Sequence, residues 1–225
     1  MILIKKRQEP RVLREYRKTI GASYQNMHGA PSGRKDEDGK NEDVYSIVLN
    51  HLIDEQGGLC AYCMKRIPDY RKKPAASIEH IDPQSKTSTE KALDYSNMLA
   101  VCNGNRNAKT DDEITCDARR GNRHLDINPL DGSTLIGIQY RNSGKIYSDD
   151  SEIDRQLNEV LNLNCEAMSL IKCRKSALNK MLSIIERRHK GDREFYQRLL
   201  AEYEASRTEK PPFVGILIWW LKKHI

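Results

Sequence analysis

The sequence predicts an α+β, mainly helical fold in which a small cysteine-stapled core lies between an N-terminal basic arm and a C-terminal helical region. Three observations predict it. Four of the six cysteines fall between residues 59 and 130. That same stretch has few long apolar runs and many turn formers, so it needs a staple to be stable. Beyond Ser151 the apolar residues recur at helical spacing to the end of the chain. A 225-residue chain, 38% hydrophobic and 31% charged, is too polar for a membrane protein and too apolar for a disordered one. We divide it into an arm, loop and helix (1–58), a core (59–130) and a hairpin with helices (131–225).

Taken in order, Pro10 opens a short basic helix that Gly21 ends. Residues 28–42 switch to Gly, Pro, Ser, Lys and Asp without apolar periodicity, which predicts a flexible loop. Asp43 then starts an amphipathic helix with Val44, Ile47, Val48, Leu52 and Ile53 on one face and Gly57-Gly58 as its stop. Ser77–Pro83 reads as a short strand ending in the Glu79-His80 pair and followed by a turn, and Asn97–Cys102 comes next. Thr134–Tyr140 and Lys145–Tyr147 form a hairpin around Asn142-Ser143-Gly144. Ile153, Leu157, Val160 and Leu161 mark one helix, and Met168 to Ile185 a longer one. Asp192 caps a third, and the apolar run Phe213–Leu221 makes a last, core-packing or partner-docking helix too short to span a membrane.

The net charge of +6 is unevenly spread. Lys5, Lys6, Arg7, Arg11, Arg14, Arg17 and Lys18 crowd the first 20 residues, and a second basic block runs from Lys172 to Lys190. Such blocks suit a polyanionic partner, although a solvated helix face explains them equally. No export signal is legible, because the apolar Met1-Ile2-Leu3-Ile4 stops at Lys5. A cytoplasmic, reducing compartment is therefore expected, where paired cysteines mean metal more often than disulfide.

Cys60-Ala61-Tyr62-Cys63 has the spacing that turns two thiolates onto one tetrahedral ion. A redox dithiol shares the spacing but belongs at a strand-to-helix junction, whereas a helix precedes this pair. Cys102 and Cys116 complete a four-thiolate site for a structural Zn²⁺. Cys165 and Cys173 read as core cysteines.

Between the two halves lie Glu79-His80 and Asn97, and Asp117-Ala118-Arg119-Arg120-Gly121 follows Cys116. These residues resemble the HNH endonuclease family, whose ββα-metal core carries an acidic-His pair, a middle Asn and a final His, Asn or Asp. The resemblance, over residues 57–130, implies a ββα-metal core with His80 as general base, Glu79 and Asp117 as ligands of a catalytic Mg²⁺ or Mn²⁺, and Asn97 as the residue that ties the turn and helps orient His80. Arg119, Arg120 and Lys109 become the candidate nucleic-acid contacts. Regular members place the second cysteine pair two residues apart. Here 13 residues intervene, read as an insertion over 103–115. The competing register makes Asn105 or Asn107 the third ligand, with Lys109 as the basic residue. Lys65, Arg66, Arg71, Lys72 and Lys73 are further candidates for backbone contacts.

The flanks Asp54–Met64, Asn103-Gly104-Asn105 and Asp126–Leu130 are similar to the HNH subunit of Septu-type anti-phage defence systems. That similarity implies an ABC-type ATPase partner and, for retron-associated members, a reverse transcriptase with its msDNA. DNA is the default substrate and tRNA the second candidate. The alternative is a zinc-dependent nucleic-acid-binding or scaffold module without catalysis, for which the cysteines alone would suffice.

Overall fold

In a computed structural model, which describes residues 1–68, 76–205 and 209–225, the chain begins by running across its own core. Met1, Ile4 and Leu13 are buried, the Ile4 amide donates to the Pro129 carbonyl at 2.8 Å, and Lys6 reaches Glu55 and the Met98 carbonyl at 2.9 Å each. The basic arm is thus packed down along its apolar positions, with only part of its charge facing solvent. Helix α1 (Arg11–Tyr16) follows Pro10 and is shorter than the sequence suggests, ending in turns that reach Gly21.

The expected loop over 28–42 is instead a hairpin of strands β1 (Pro31–Lys35) and β2 (Asn41–Asp43). Its residues carry no apolar alternation because almost none is buried, and Ser32 Oγ donating to the Glu42 carbonyl at 2.6 Å helps clasp it. Asp43 then caps α2 (Val44–Glu55), its carboxylate accepting from the Ser46 amide at 2.8 Å. The predicted apolar face of α2 is buried, and Gly57 and Gly58, at φ +70° and +74°, turn the chain out of the helix.

Strands β3 (Ala76–His80) and β4 (Met98–Cys102) pair antiparallel, Ala76 opposite Cys102 and His80 opposite Met98. A two-stranded ribbon leaves two open edges, and both are closed by side chains. On the β3 edge, Tyr45 accepts from the Ile78 amide (3.0 Å) and Tyr24 donates to its carbonyl (3.2 Å). On the β4 edge, buried Gln56 pairs like a peptide with Ala100, accepting from its N–H and donating to its C=O at 2.8 Å each. The short α3 (Thr89–Ala92) crosses between the strands, and α4 (Cys116–Arg120) packs beside β4.

Strands β5 (Ile138–Tyr140) and β6 (Ile146–Ser148) form the predicted second hairpin. Its turn glycine Gly144, at φ +93°, lies against α6 (Leu170–Arg188), where an added Cβ would stand 2.2 Å from the Ile171 carbonyl oxygen. Before it comes α5 (Ser151–Arg155), which widens into a π-helical turn over Gln156–Val160. After α6, Asp192 caps α7 (Arg193–Glu204) as expected. Helix α8 (Val214–His224) buries seven residues, including Trp220, and so takes the core-packing role. One connected set of buried apolar side chains reaches from Met1 to Leu221. Among the described residues no helix is long and apolar enough to cross a membrane.

Candidate active site and metal centre

Two centres sit at opposite ends of the β3–β4 ribbon. At its Cys102 end the thiols of Cys60, Cys63, Cys102 and Cys116 converge, all buried, with every sulfur within 4.8 Å of the others. Three of the Sγ–Sγ distances are 3.8 Å. That is far too long for a disulfide and equals the edge, about 3.8 Å, of a tetrahedron of thiolates held 2.3 Å from a central zinc. The donor set therefore fits a structural Zn²⁺. Without a cation the thiols cannot all ionise: hydrogen bonding among them, then burial, pushes Cys63 and Cys116 well up. The insertion that separates the last two ligands closes on itself, because the Thr115 amide donates to the Gly104 carbonyl at 2.8 Å and so returns Cys116 beside Cys102.

At the other end a cleft of about 390 Å³ opens between β3, α4 and the Tyr24–Tyr45 wall. Glu79, His80 and Asp117 all line it. His80 Nε2 lies 2.9 Å from the Ala92 carbonyl, which only an N–H can satisfy, so the acceptor lone pair is on Nδ1. That nitrogen takes a hydrogen bond of 3.1 Å from Gln84 Nε2, a cleft residue that no sequence signal marked. Burial holds the imidazole below its ordinary pKa, against the Ala92 carbonyl and the charge of Asp117, which favour protonation. His80 is thus neutral near pH 7.

Glu79 is 7% exposed and accepts from Tyr62 at 3.0 Å and from Arg120. Burial first, and then the neighbouring Asp117 carboxylate, push it up to about 8, with Arg120 pulling the other way. Two carboxylates brought together in this way are a donor set that a hard, partly hydrated divalent cation fits. Asp117 accepts from Arg106 at 2.7 Å. Asn97 is buried, and its side-chain hydrogen bonds go to residues other than His80. It accepts from the Asp82 amide at 2.9 Å and donates to the carbonyls of Asp82 and Lys91, bracing the turn whose next residue, Ala92, holds the imidazole.

Several expected contacts lie elsewhere. Arg120 is 2% exposed and points inward, donating to Tyr62, Glu79 and the carbonyls of His80 (2.7 Å), Ile81 (2.6 Å) and Arg123 (2.9 Å). A guanidinium with its donors so engaged is a strut between α4 and β3, not a phosphate contact. Arg119 turns to the far side of α4, toward Glu159 (3.4 Å) and Asp111 (3.5 Å). Lys109 and Asn107 are exposed on the insertion, and Asn105 donates to the Glu113 carbonyl at 3.0 Å within it. Arg120 and Arg106 both line the cleft, and of the two it is Arg106 that is open to solvent, at 59% side-chain exposure against 1% for Arg120. Arg66 is bound to the carbonyls of Gly57 and Lys210, while Arg71, Lys72 and Lys73 lie outside the described residues.

A two-stranded ribbon ending in a carboxylate and a neutral imidazole, with four thiols at its far end and a short helix bearing a second carboxylate, is an arrangement that metal-assisted hydrolysis fits. The family model for HNH endonucleases matches residues 60–110, so this stretch carries an HNH endonuclease domain, which supports hydrolysis of phosphodiester bonds. The match ends before Cys116 and Asp117. The chain is also similar to an Escherichia coli protein of retron Ec83 whose name gives HNH endonuclease as its expected activity. The two are 24% identical in an alignment that covers 74% of this chain and 83% of that protein.

Proposed function

We propose that this protein is the nuclease subunit of an anti-phage defence complex and cleaves nucleic acid in the cleft beside His80. The observation that carries the reading is the convergence of His80 Nδ1, Glu79 and Asp117 in one polar cleft. His80, neutral and with its proton held on Nε2 by Ala92, accepts the proton of the attacking water at Nδ1. In this structure Gln84 Nε2 occupies the single lone pair of that nitrogen, so the amide gives way when the water takes its place. Glu79 and Asp117 would hold the catalytic Mg²⁺ or Mn²⁺, which supplies charge stabilisation for the phosphate and the leaving oxygen. Arg106 neutralises Asp117 and is placed to meet phosphate oxygens at the cleft mouth. Asn97 keeps the turn that carries Ala92, and hence the imidazole, in place. The four cysteines would hold Zn²⁺ and take no part in the chemistry.

The retron name of the Escherichia coli relative supports a defence setting. In it an ABC-type ATPase subunit and a reverse transcriptase with msDNA are the proposed partners, and the cytoplasm the compartment. DNA is the first substrate to test and tRNA the second. The test is digestion of plasmid DNA and total RNA with Mn²⁺ by wild type and by His80→Ala, each with its partner subunit and with zinc content measured. Cleavage that disappears in His80→Ala at unchanged zinc content is the expected result. Equal cleavage by both proteins removes His80 from the role of base.

A further inference from the structure

The cleft is walled by a row of rings. Tyr24 stands edge-on to the His80 imidazole, 4.6 Å between centroids; Tyr45 lies 6.1 Å from Tyr24; and His28 stacks on Tyr45 at 3.7 Å and 27°. All four line the same cavity. The two tyrosines are immobilised, since their hydroxyls are spent on the two backbone groups of Ile78. His28 is different: it is exposed, and it ends the row. The ladder of rings thus leads outward from the catalytic imidazole and stops at a ring with uncovered surface, while Arg106 supplies a half-exposed guanidinium on the same cavity.

We propose that the His28–Tyr45 stack is a nucleobase platform, on which a base close to the scissile phosphodiester continues the row of rings. The inference rests on the nuclease reading above and names its substrate class: single-stranded or locally unpaired nucleic acid. In a duplex both faces of a base are covered by its neighbours, and only an unstacked base has a face to offer a protein ring. A cavity of about 390 Å³ is of the size that takes one small-molecule-sized group. Stacking reads no hydrogen-bond pattern, so the platform tolerates every base, and the sugar is left unread by it. Tyr62, Tyr95 and Tyr140 are buried and take no part.

The experiment uses the full, zinc-loaded chain together with its partner subunit, in two arms. In the first, the His80→Ala protein binds single-stranded DNA, single-stranded RNA and the corresponding duplexes, each carrying the fluorescent base 2-aminopurine, whose emission falls when a ring stacks on it. In the second, wild type cleaves the same oligonucleotides with Mn²⁺. Both are repeated with His28→Ala and with His28→Phe. His28 is exposed, so its truncation leaves the core intact. The expected result is quenching and cleavage of the single strands over the duplexes, a loss of about tenfold in affinity in His28→Ala, and recovery in His28→Phe. If wild type cleaves while His28→Ala binds, quenches and cleaves as well as its parent, or if duplexes are bound and cut equally well, the platform is refuted and the nuclease reading stands. If wild type neither binds nor cuts any of these polymers, the nuclease reading falls and the platform with it.

Discussion

Arg120→Met tests whether the second arginine of α4 is a strut. Its side chain is 1% exposed, that of its partner Glu79 9%, and the guanidinium also holds the carbonyls of His80 and Ile81 at the point where β3 ends. Methionine fills much of the volume but leaves the Glu79 carboxylate and two buried carbonyls unpaired. Removing one member of a buried ion pair costs about 3–5 kcal/mol, a large share of the roughly 5–15 kcal/mol that stabilises a domain. With a urea dependence of about 2–3 kcal/mol per molar, the unfolding midpoint should fall by about 1–2 M. Adding Glu79→Gln should recover part of the loss, because the stranded charge is gone. The assay is urea unfolding followed by far-UV circular dichroism on the zinc-loaded chain at about pH 9, above the value of about 8 to which Glu79 is pushed, so that the carboxylate is ionised in wild type. An unchanged midpoint with a salt-sensitive loss of nucleic-acid binding would place Arg120 on substrate and refute the inward reading.

Three further outcomes follow from the geometry. Gly104→Ala should weaken zinc retention, read by competition with a chromogenic chelator: residue 104 sits at φ +58°, and a Cβ there would stand 2.1 Å from the Thr115 carbonyl oxygen, on the contact that returns Cys116 to the cluster. Stripping the zinc should cost the β3–β4 region its order, seen as lost amide-exchange protection at Ala100 and Val101; protection that survives in metal-free protein would make the cysteines a mere buried cluster. Asp43→Ala should cost about 1 kcal/mol as a lost helix cap. Although partial burial raises the Asp43 pKa, the Gly29 and Ser46 hydrogen bonds hold it below its ordinary value. Its stabilisation is accordingly present above pH 3.8 and lost as pH falls through the lowered value, and wild type and variant should converge in stability there.

The parts of the molecule legible in the sequence are those with a short-range signature. Helix α2 shows its apolar period and its Asp43 cap, the Cys60–Cys63 spacing shows half a tetrahedron, and Glu79-His80 shows a reactive pair. What stayed hidden depends on partners far apart in the chain. Arg120 reads as surface charge because Glu79, which holds it, lies 41 positions away. Tyr24 and His28 flank one short turn, Tyr45 lies on α2, and the three share no motif, so nothing in their spacing announces a wall. The β1–β2 hairpin has no buried face to imprint alternation on its residues. Arg106 was hidden inside an insertion, and only the fold of that insertion brings it to Asp117.

The insertion has a bearing on the order of events during synthesis. Asn162 holds the Asp112 carbonyl from 50 positions downstream, and the Cys116 amide donates to the Leu161 carbonyl. The last zinc ligand and the carboxylate beside it are therefore braced by chain that emerges later from the ribosome than the rest of the core. Contacts of such long range form late. A truncated translation product that ends before Leu161 carries Glu79, His80 and all four cysteines yet lacks the chain that braces Cys116 and, beside it, Asp117.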